Sequence, residues 1–555
     1  MNMESAKGNC SISQKLIFAF VILLQIIVIC HWASKRSNYF VDELFSFGYA
    51  HSYTFDRKDI YYIDNSPEWK YEEWVSNEKL KTQLEVSKEE SLLNKDFVTA
   101  LKMLLTRRNF HALLNITMDV FSDGKPSMWP PIILNIVFFV FSQVLLFQII
   151  FEMTHSFSVS LLATFMYGFS GTAINTHLYI RFYALVTLLI LGCIRIHQKM
   201  WKERQILFFS IESILGMLLM YFALKNSELI MIMGGAIVMA FTLSLLFSRR
   251  YKEAFLYIIL TIPASFLFLI KKTGLINIVL HPEAYRGKGG ATGWITENFM
   301  TVNTDKIISL FFKYLRWFSD QMFGSWYVLC SFLILIIILL EVKLLGEKKK
   351  RKQSECVPEK GSDIHAVRFA WVIFGASAVY YIFALLTGLM HLRYFSFYFP
   401  MVIILLWIII DVLTKELKNR QLVLAGCFIL LCIGGSALQI IRPEALENIY
   451  ADDQSLINAV HDADIQCAVV ISSEKESANH SIYDCIHILP YSAKLYPVNL
   501  ENDHIDITTC PDQLLVWSNN AVSTDDYTKD LQDAGYTFET LGSTHASVVY
   551  IAEKS

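Results

Sequence analysis

The sequence predicts an α-helical polytopic membrane protein that carries a small α/β domain at its C-terminal end. More than half of the 555 residues, 54%, are hydrophobic and only 18% are charged, which is too little charge to solvate a soluble chain of this length. After residue 440 the composition changes: acidic residues outnumber basic ones and the apolar runs become short. The membrane part and the soluble part are therefore separate in the sequence.

Apolar runs of about 17 to 25 residues, each long enough to cross roughly 30 Å of hydrocarbon as a helix, occur about eleven times. They lie at 15–33, 130–152, 157–176, 179–196, 205–223, 229–248, 253–270, 326–342, 367–389, 395–413 and 421–440. The first run also suits a signal peptide, but no Ala-x-Ala-like site follows it, so we predict a helix. The predicted domains are a transmembrane domain at 1–440, with an outer loop at 34–128, and a soluble domain at 441–555.

Basic residues cluster at one side of this eleven-helix arrangement. The clusters lie at 7–15, 195–204, 249–252, 348–352 and 415–420. The positive-inside rule makes that side cytoplasmic. We therefore predict a plasma-membrane protein with a cytoplasmic N-terminus and an extracytoplasmic C-terminal domain. A second outer loop, 271–325, carries a glycine-rich run at 285–293 that suits either a lid or an ordinary surface loop.

The C-terminal segment has the pattern of alternating strands and helices. Short apolar runs at 468–472, 513–517 and 547–551 predict strands, and 525–534 predicts a helix that ends before Gly535. Its acidity is typical of a solvated surface. Three cysteines fall in this segment, so one disulfide with a leftover thiol is one possibility that the sequence leaves open.

An acidic pair, Asp42 and Glu43, follows the first predicted span on its outer side. Carboxylates this close to a bilayer are costly unless water, a cation or a substrate meets them, so the position indicates a functional site. The alternative is an interfacial anchor that ends the first helix.

Four motifs at their expected topological positions together resemble one family. They are Val41-Asp42-Glu43-Leu44-Phe45-Ser46 after the first span, Trp129-Pro130-Pro131 opening the second, Tyr179-Ile180-Arg181-Phe182-Tyr183-Ala184-Leu185 opening the fourth and His391-Leu392-Arg393-Tyr394 before the tenth. This layout resembles the bacterial GT-C integral-membrane glycosyltransferases related to protein O-mannosyltransferases and lipid A aminoarabinose transferases. In that family the residue before Pro-Pro is often His or Gln, so Trp129 is a departure.

The resemblance implies transfer of a sugar from a polyprenyl-phosphate donor to an acceptor on the outer face. In that family the outward acidic motif activates the acceptor. A positioned carboxylate takes the proton of the attacking hydroxyl, which makes Asp42 the candidate base. Glu43 then orients the acceptor or acts as a second acid.

Phosphate recognition is the second requirement, because negative charge accumulates on the departing phosphate. Guanidinium groups match phosphate oxygens bidentately, so Arg181 and Arg393 are candidate ligands of the lipid phosphate. Tyr179 and Tyr183 flank Arg181, and Tyr394 follows Arg393. The alternative for both arginines is an ordinary place in the interfacial belt. His177 is a further candidate substrate contact, although a lone histidine more often completes a helix end.

No cofactor follows from the sequence, since it contains no Cys-x-x-Cys or His-Glu-x-x-His spacing, and a need for a divalent cation stays open. The expected partners are the polyprenyl-phosphate donor, an acceptor of the cell envelope (lipid, glycan or protein) and membrane lipids. Nothing indicates a nucleic acid, and the oligomeric state is open. The competing hypotheses are a polytopic transporter or lipid flippase and a non-catalytic envelope assembly protein. A transporter is expected to place ionisable or helix-breaking residues in the middle of several spans.

Overall fold

The structure is a computed structural model. It describes residues 10–51, 72–106, 108–227, 229–271, 297–353, 362–389, 391–431, 446–447, 449–450, 452–472, 475–499, 505–519, 524–545 and 547–555. The glycine-rich run at 285–293 and the side chains of the basic cluster at 348–352 lie outside the described residues.

Twenty α-helices and six strands are described along the chain. The helices are α1 Ile12–Ser34, α2 Val41–His51, α3 Asn77–Thr82, α4 Phe97–Thr106, α5 Asn109–Ser122, α6 Trp129–Thr154, α7 Phe157–Gly168, α8 Gly171–Leu178, α9 Tyr183–Lys202, α10 Ile206–Asn226, α11 Ile230–Phe247, α12 Tyr251–Lys271, α13 Thr304–Phe318, α14 Trp326–Gln353, α15 Ser362–Thr387, α16 Tyr398–Thr414, α17 Arg420–Leu431, α18 Asp453–Ala463, α19 Lys475–Ile488 and α20 Thr524–Asp533. The strands are β1 Val75–Ser76, β2 Cys467–Ser472, β3 Lys494–Asn499, β4 Gln513–Asn519, β5 Tyr536–Ser543 and β6 Ser547–Lys554.

The predicted fold class is confirmed: long apolar helices dominate, and a small sheet contains the C-terminal residues. A helix lies at each of the eleven predicted apolar runs. Among the described residues, seven helices are long and apolar enough to cross a membrane. The pair α7 and α8 makes an eighth if its 56° bend lies within one span, whereas α16 and α17 are shorter apolar helices. The total of eleven spans stays a prediction.

The chain divides into two compact units. Unit 1, the helical unit, consists of Met1–Cys30, Asn135–His177 and Phe182–Leu446. Unit 2, the sheet unit, consists of His31–Leu134, Leu178–Arg181 and Glu447–Ser555. The predicted outer loop thus shares a unit with the C-terminal segment, and the division into domains at residue 440 stays a prediction.

Inside the helical unit, buried amide side chains join α1, α6 and α7. Gln25 donates from Nε2 to the carbonyl of Thr164 at 3.1 Å and accepts a hydrogen bond from Nε2 of Gln143 at 3.1 Å. Both glutamines are fully buried. Gly168 lies directly against them, since a Cβ there would come within 2.2 Å of Gln25 and 2.3 Å of Gln143. Small residues and interhelical amide bonds are the usual means by which helices associate in a membrane.

The sheet of unit 2 has the strand order β1-β3-β2-β4-β6-β5. Strands β3, β2 and β4 are parallel, and β1, β6 and β5 are joined through antiparallel pairs. The core is formed by apolar side chains of adjacent strands, among them Val469, Val498 and Val516. The parallel centre agrees with the predicted α/β domain, because α19 connects β2 to the neighbouring parallel strand β3.

The first outer loop contributes a strand to this sheet. Val75 of β1 pairs with Leu495 of β3. Two residues later, the Asn77 side chain donates to the carbonyl oxygens of Ile486, Leu489 and Pro490 at 2.9 to 3.1 Å. These bonds satisfy the carbonyl groups that end α19. The loop and the C-terminal segment therefore form one hydrogen-bonded unit.

The three C-terminal cysteines, Cys467, Cys485 and Cys510, are free thiols, so the structure contains no disulfide between them. Burial raises the pKa of the Cys510 thiol to about 11, which keeps it protonated and unreactive at neutral pH.

Candidate active site

The acidic pair occupies the first turn of α2, in unit 2. Helix α1 ends at Ser34, and the chain runs through residues 35–40 before α2 begins at Val41. Acidic side chains are favourable at a helix N-terminus, because they face the partial positive charge of the exposed N–H groups. Glu43 also accepts a hydrogen bond from the backbone N–H of Phe40 at 2.8 Å, which is the contact made by the glutamate of a capping box.

Glu43 is fully buried and forms an ion pair with Arg36, whose side chain is also fully buried. Its other oxygen accepts the backbone N–H of Ile180 at 2.7 Å. Arg36 donates to the carbonyl of Leu178 at 2.6 Å and to that of Asn38 at 3.0 Å. The two charges are thus paired and hydrogen bonded, as buried charges must be. Together they fix the segment Leu178–Arg181 against the start of α2.

Asp42 is next to Glu43 but has different surroundings. Its side chain is 22% exposed, and Oδ2 accepts the hydroxyl of Tyr179 at 3.2 Å. Oδ1 lies 4.0 Å from a terminal nitrogen of Arg181. This separation is longer than the roughly 2.7–2.9 Å of a charge-assisted hydrogen bond. Asp42 is therefore oriented by a phenol and a nearby cation while part of its surface meets solvent.

Arg181 is held by the backbone of the first turn of α2, which carries Asp42. It donates to the carbonyl oxygen of Asp42 at 2.7 Å and lies 3.5 Å from the hydroxyl of Ser46. Only 10% of its side chain is exposed. The guanidinium consequently has a fixed position beside the Asp42 carboxylate. Of the residues predicted from sequence, the structure brings Asp42, Tyr179 and Arg181 together.

Tyr183 and Arg393 belong to the helical unit. Tyr183 is the first residue of α9 and is buried, with its ring 6.3 Å from that of Tyr394. The carbonyl of Tyr394 accepts the hydroxyl of Tyr380 at 2.7 Å. Arg393 is half-buried and lies over the ring of Tyr394 at 5.5 Å. Their predicted roles in substrate binding stay predictions.

His177 is a buried residue at the end of α8. Its Nδ1 contacts the carbonyl of Ala173 at 2.6 Å, one turn earlier in the helix. The ring packs edge-on against Phe139 at 4.9 Å, and its own carbonyl accepts the side-chain amide of Asn135 at 3.1 Å. These are the contacts of a helix-end packing residue, which is the alternative given by the sequence.

Arg36 is the site residue that sequence reasoning missed. It follows Lys35 at the end of a membrane helix, where basic residues are ordinary belt residues. Nothing in the local pattern indicates a fully buried partner for Glu43.

Among the described residues, no three His, Cys, Asp or Glu side chains lie close enough together to hold a metal ion.

No family model and no curated protein matches the sequence. The structure is similar to the crystal structures of ArnT from Cupriavidus metallidurans. The form bound to undecaprenyl phosphate is 9% identical, with 98% of each chain covered and a TM-score of 0.44. The apo form is 9% identical, with 97% of this chain and 98% of ArnT covered and a TM-score of 0.48.

A third similar structure is the Archaeoglobus fulgidus oligosaccharyltransferase in complex with zinc and sulfate. It is 9% identical and has a TM-score of 0.38, with 79% of this chain and 64% of the archaeal chain covered. ArnT is a lipid A aminoarabinose transferase, which is one of the groups of proteins that the four sequence motifs resemble.

Proposed function

We propose that the protein is a membrane glycosyltransferase that moves a sugar from a polyprenyl-phosphate donor to an acceptor of the cell envelope on the outer face. The observation that carries the proposal is the pair formed by Asp42 and Arg181, a partly exposed carboxylate 4.0 Å from a guanidinium with a fixed position. A hydroxyl acceptor needs a base, and a phosphate leaving group needs a cation. These two groups meet both needs at one place.

In the proposed reaction, the acceptor hydroxyl attacks the anomeric carbon of the donor sugar and Asp42 takes its proton. The bond between that carbon and the phosphate oxygen breaks, and polyprenyl phosphate leaves with the bonding electrons. Tyr179 orients the carboxylate through its hydroxyl, and Arg181 stabilises the charge that grows on the phosphate. Glu43 and Arg36 hold the segment that carries Tyr179 and Arg181.

Loss of a carboxylate base and loss of a phosphate ligand have different effects on transfer and on donor binding, and this difference tests the proposal. We expect Asp42→Asn to reduce transfer about 10²-fold or more while binding of polyprenyl phosphate survives, since the amide keeps the size but cannot take the proton. Arg181→Ala is expected to weaken both binding and turnover, because the phosphate is charged in the ground state and gains charge in the transition state.

The assay is transfer from radiolabelled polyprenyl-phosphate-linked hexoses and pentoses by the purified protein, with binding of polyprenyl phosphate measured separately. Asp462→Asn is the matched control, since it makes the same chemical change at an exposed position of unit 2. Near-normal transfer by Asp42→Asn removes the catalytic assignment. Movement of the intact lipid-linked sugar across the bilayer without transfer supports the flippase alternative instead.

A further inference from the structure

The segment between α1 and α2 is held by the C-terminal residues of unit 2. Asn38 is fully buried, and its Nδ2 donates to Oδ2 of Asp453 at 2.6 Å and lies 3.4 Å from Oδ1 of Asp484. Its Oδ1 accepts the backbone N–H of Tyr39 at 2.7 Å. Beside it, the backbone N–H of Ser37 donates to the carbonyl of Ile449 at 3.2 Å. One asparagine thus bridges two buried carboxylates that are distant in sequence.

Both carboxylates are fixed from the C-terminal side as well. Asp453 accepts the backbone N–H of His545 at 3.0 Å and contacts its Nδ1 at 2.7 Å. Asp484 accepts the hydroxyl of Thr544 at 2.8 Å and the indole N–H of Trp517 at 3.4 Å. Buried polar groups with several partners each form a rigid, specific network. The two aspartates therefore present a fixed pair of acceptors to Asn38.

The same asparagine is connected to the candidate active site. The backbone carbonyl oxygen of Asn38 accepts a hydrogen bond from Nε of Arg36 at 3.0 Å. Arg36 is the buried partner of Glu43, and Glu43 holds the backbone of Ile180 beside Arg181. A continuous series of buried contacts therefore joins the C-terminal residues to the first turn of α2.

We propose that the C-terminal segment of unit 2 positions the active site and that Asn38 is the positioning residue through which it acts. The inference rests on the proposed function, in which Asp42 and Arg181 act on one reacting carbon. A misplacement of about 1 Å is enough to slow such a reaction about 10²-fold. Without the hydrogen bonds of the Asn38 side chain, the segment at 35–40 no longer fixes the start of α2.

The test uses the full-length purified protein and two readouts. In Asn38→Ala we expect kcat to fall roughly 10- to 100-fold while KM for the lipid-linked donor changes less than about threefold, since Arg181 is retained. Hydrogen exchange of the backbone amides at 36–46 is expected to accelerate about tenfold or more. Exchange in β4 and β6 should match the wild-type protein, which shows that the sheet is still folded.

Two further variants distinguish loss of positioning from general damage to the fold. One is Thr544→Val, and the other is a double variant that swaps the amide of Asn38 with the carboxylate of Asp453. Thr544→Val removes one donor to Asp484 without changing the 35–40 segment, and we expect a smaller effect of the same kind on both readouts. Asn38→Asp alone brings three carboxylates together, whereas Asn38→Asp combined with Asp453→Asn restores one amide and two carboxylates. The double variant is expected to recover more activity than the product of the two single effects allows.

Gln513→Ala is the control, because it breaks an exposed hydrogen bond to Glu553 within the same sheet, and it should change neither readout. Unchanged exchange at 36–46 in both Asn38→Ala and Thr544→Val would overturn the positioning role. So would accelerated exchange at 36–46 together with normal kcat. If the wild-type protein transfers no sugar, the proposed function fails, and the exchange readout still decides whether Asn38 fixes the segment.

Discussion

Two neighbouring carboxylates in this chain have opposite environments. Glu43 is fully buried against Arg36, whereas Asp42 is partly exposed beside Tyr179 and Arg181. In a helix, consecutive side chains point about 100° apart, so only one of two adjacent residues faces a given neighbour. The sequence predicted Asp42 as the base and Glu43 as an acceptor-orienting residue or second acid, and the structure shows Glu43 fully buried in an ion pair and Asp42 partly exposed.

Glu43→Gln is expected to destabilise the protein by about 3–5 kcal/mol, because it leaves the Arg36 guanidinium buried without its counter-ion. Asp42→Asn, at the next residue, should leave the thermal unfolding midpoint close to that of the wild-type protein. Adding Arg36→Met to Glu43→Gln removes the uncompensated charge and should restore part of the lost stability. Thermal unfolding of the wild-type protein and these three purified variants measures this. Equal midpoints for Glu43→Gln and Asp42→Asn would contradict the assignment.

At the scale of the helices and strands, composition located most of what the structure contains. Apolar runs placed the membrane helices, because a span in hydrocarbon must be long, apolar and internally hydrogen bonded. The predicted strands at 468–472, 513–517 and 547–551 correspond to β2, β4 and β6. Strand β3 was missed because Pro497 interrupts its pattern, and β5 because its side chains are mostly polar.

The contacts between elements could not be predicted from the sequence. Glu43 and Ile180 are separated by 137 residues, and Asn38 and Asp453 by 415. Hydrophobic periodicity states which face of a helix is buried, but it carries no information about which distant segment covers that face. The acidic and arginine motifs could therefore be named from sequence, while Arg36 and Asn38 required the structure.

Helix α7 offers a test of packing in the helical unit. Gly168→Ala places a methyl group within 2.3 Å of the buried amides of Gln25 and Gln143, and we expect a loss of about 1–3 kcal/mol from overpacking. Gly235→Ala is the matched control, because Gly235 lies within α11 with nothing within 4 Å of the added Cβ. There the higher helix propensity of alanine should leave stability unchanged or raised. Thermal unfolding in detergent compares the two, and an equal midpoint for both would show that the close approach at Gly168 is tolerated.

At the scale of the whole molecule, unit 2 constrains the path of the chain through the membrane. Its three segments form one compact unit, so we expect them to lie on one side of the bilayer, with an even number of crossings between one segment and the next. The eleven-span prediction assigns the two crossings between 134 and 178 to α6 and to the bent pair α7 and α8. The eleven-span prediction assigns the crossings between 181 and 447 to the eight apolar helices α9 to α12 and α14 to α17, of which α9, α10, α11, α14 and α15 are long and apolar enough to span. Together with α1, these helices are the eleven predicted spans.

The even number of crossings between the segments of unit 2 and the positions of the basic clusters together predict which residues face the cytoplasm. Single cysteines are introduced at exposed uncharged or acidic positions, in a background without native cysteines. Glu78→Cys and Asp462→Cys in unit 2 are expected to react with an impermeant thiol reagent added to intact cells. Gln205→Cys, after α9, and Asn419→Cys, before α17, should react only after the membrane is permeabilised, because their neighbouring lysines and arginines stay on the cytoplasmic side. Labelling of Glu78→Cys and Asn419→Cys from the same face would refute an odd number of crossings between them and, with it, the outward placement of Asp42.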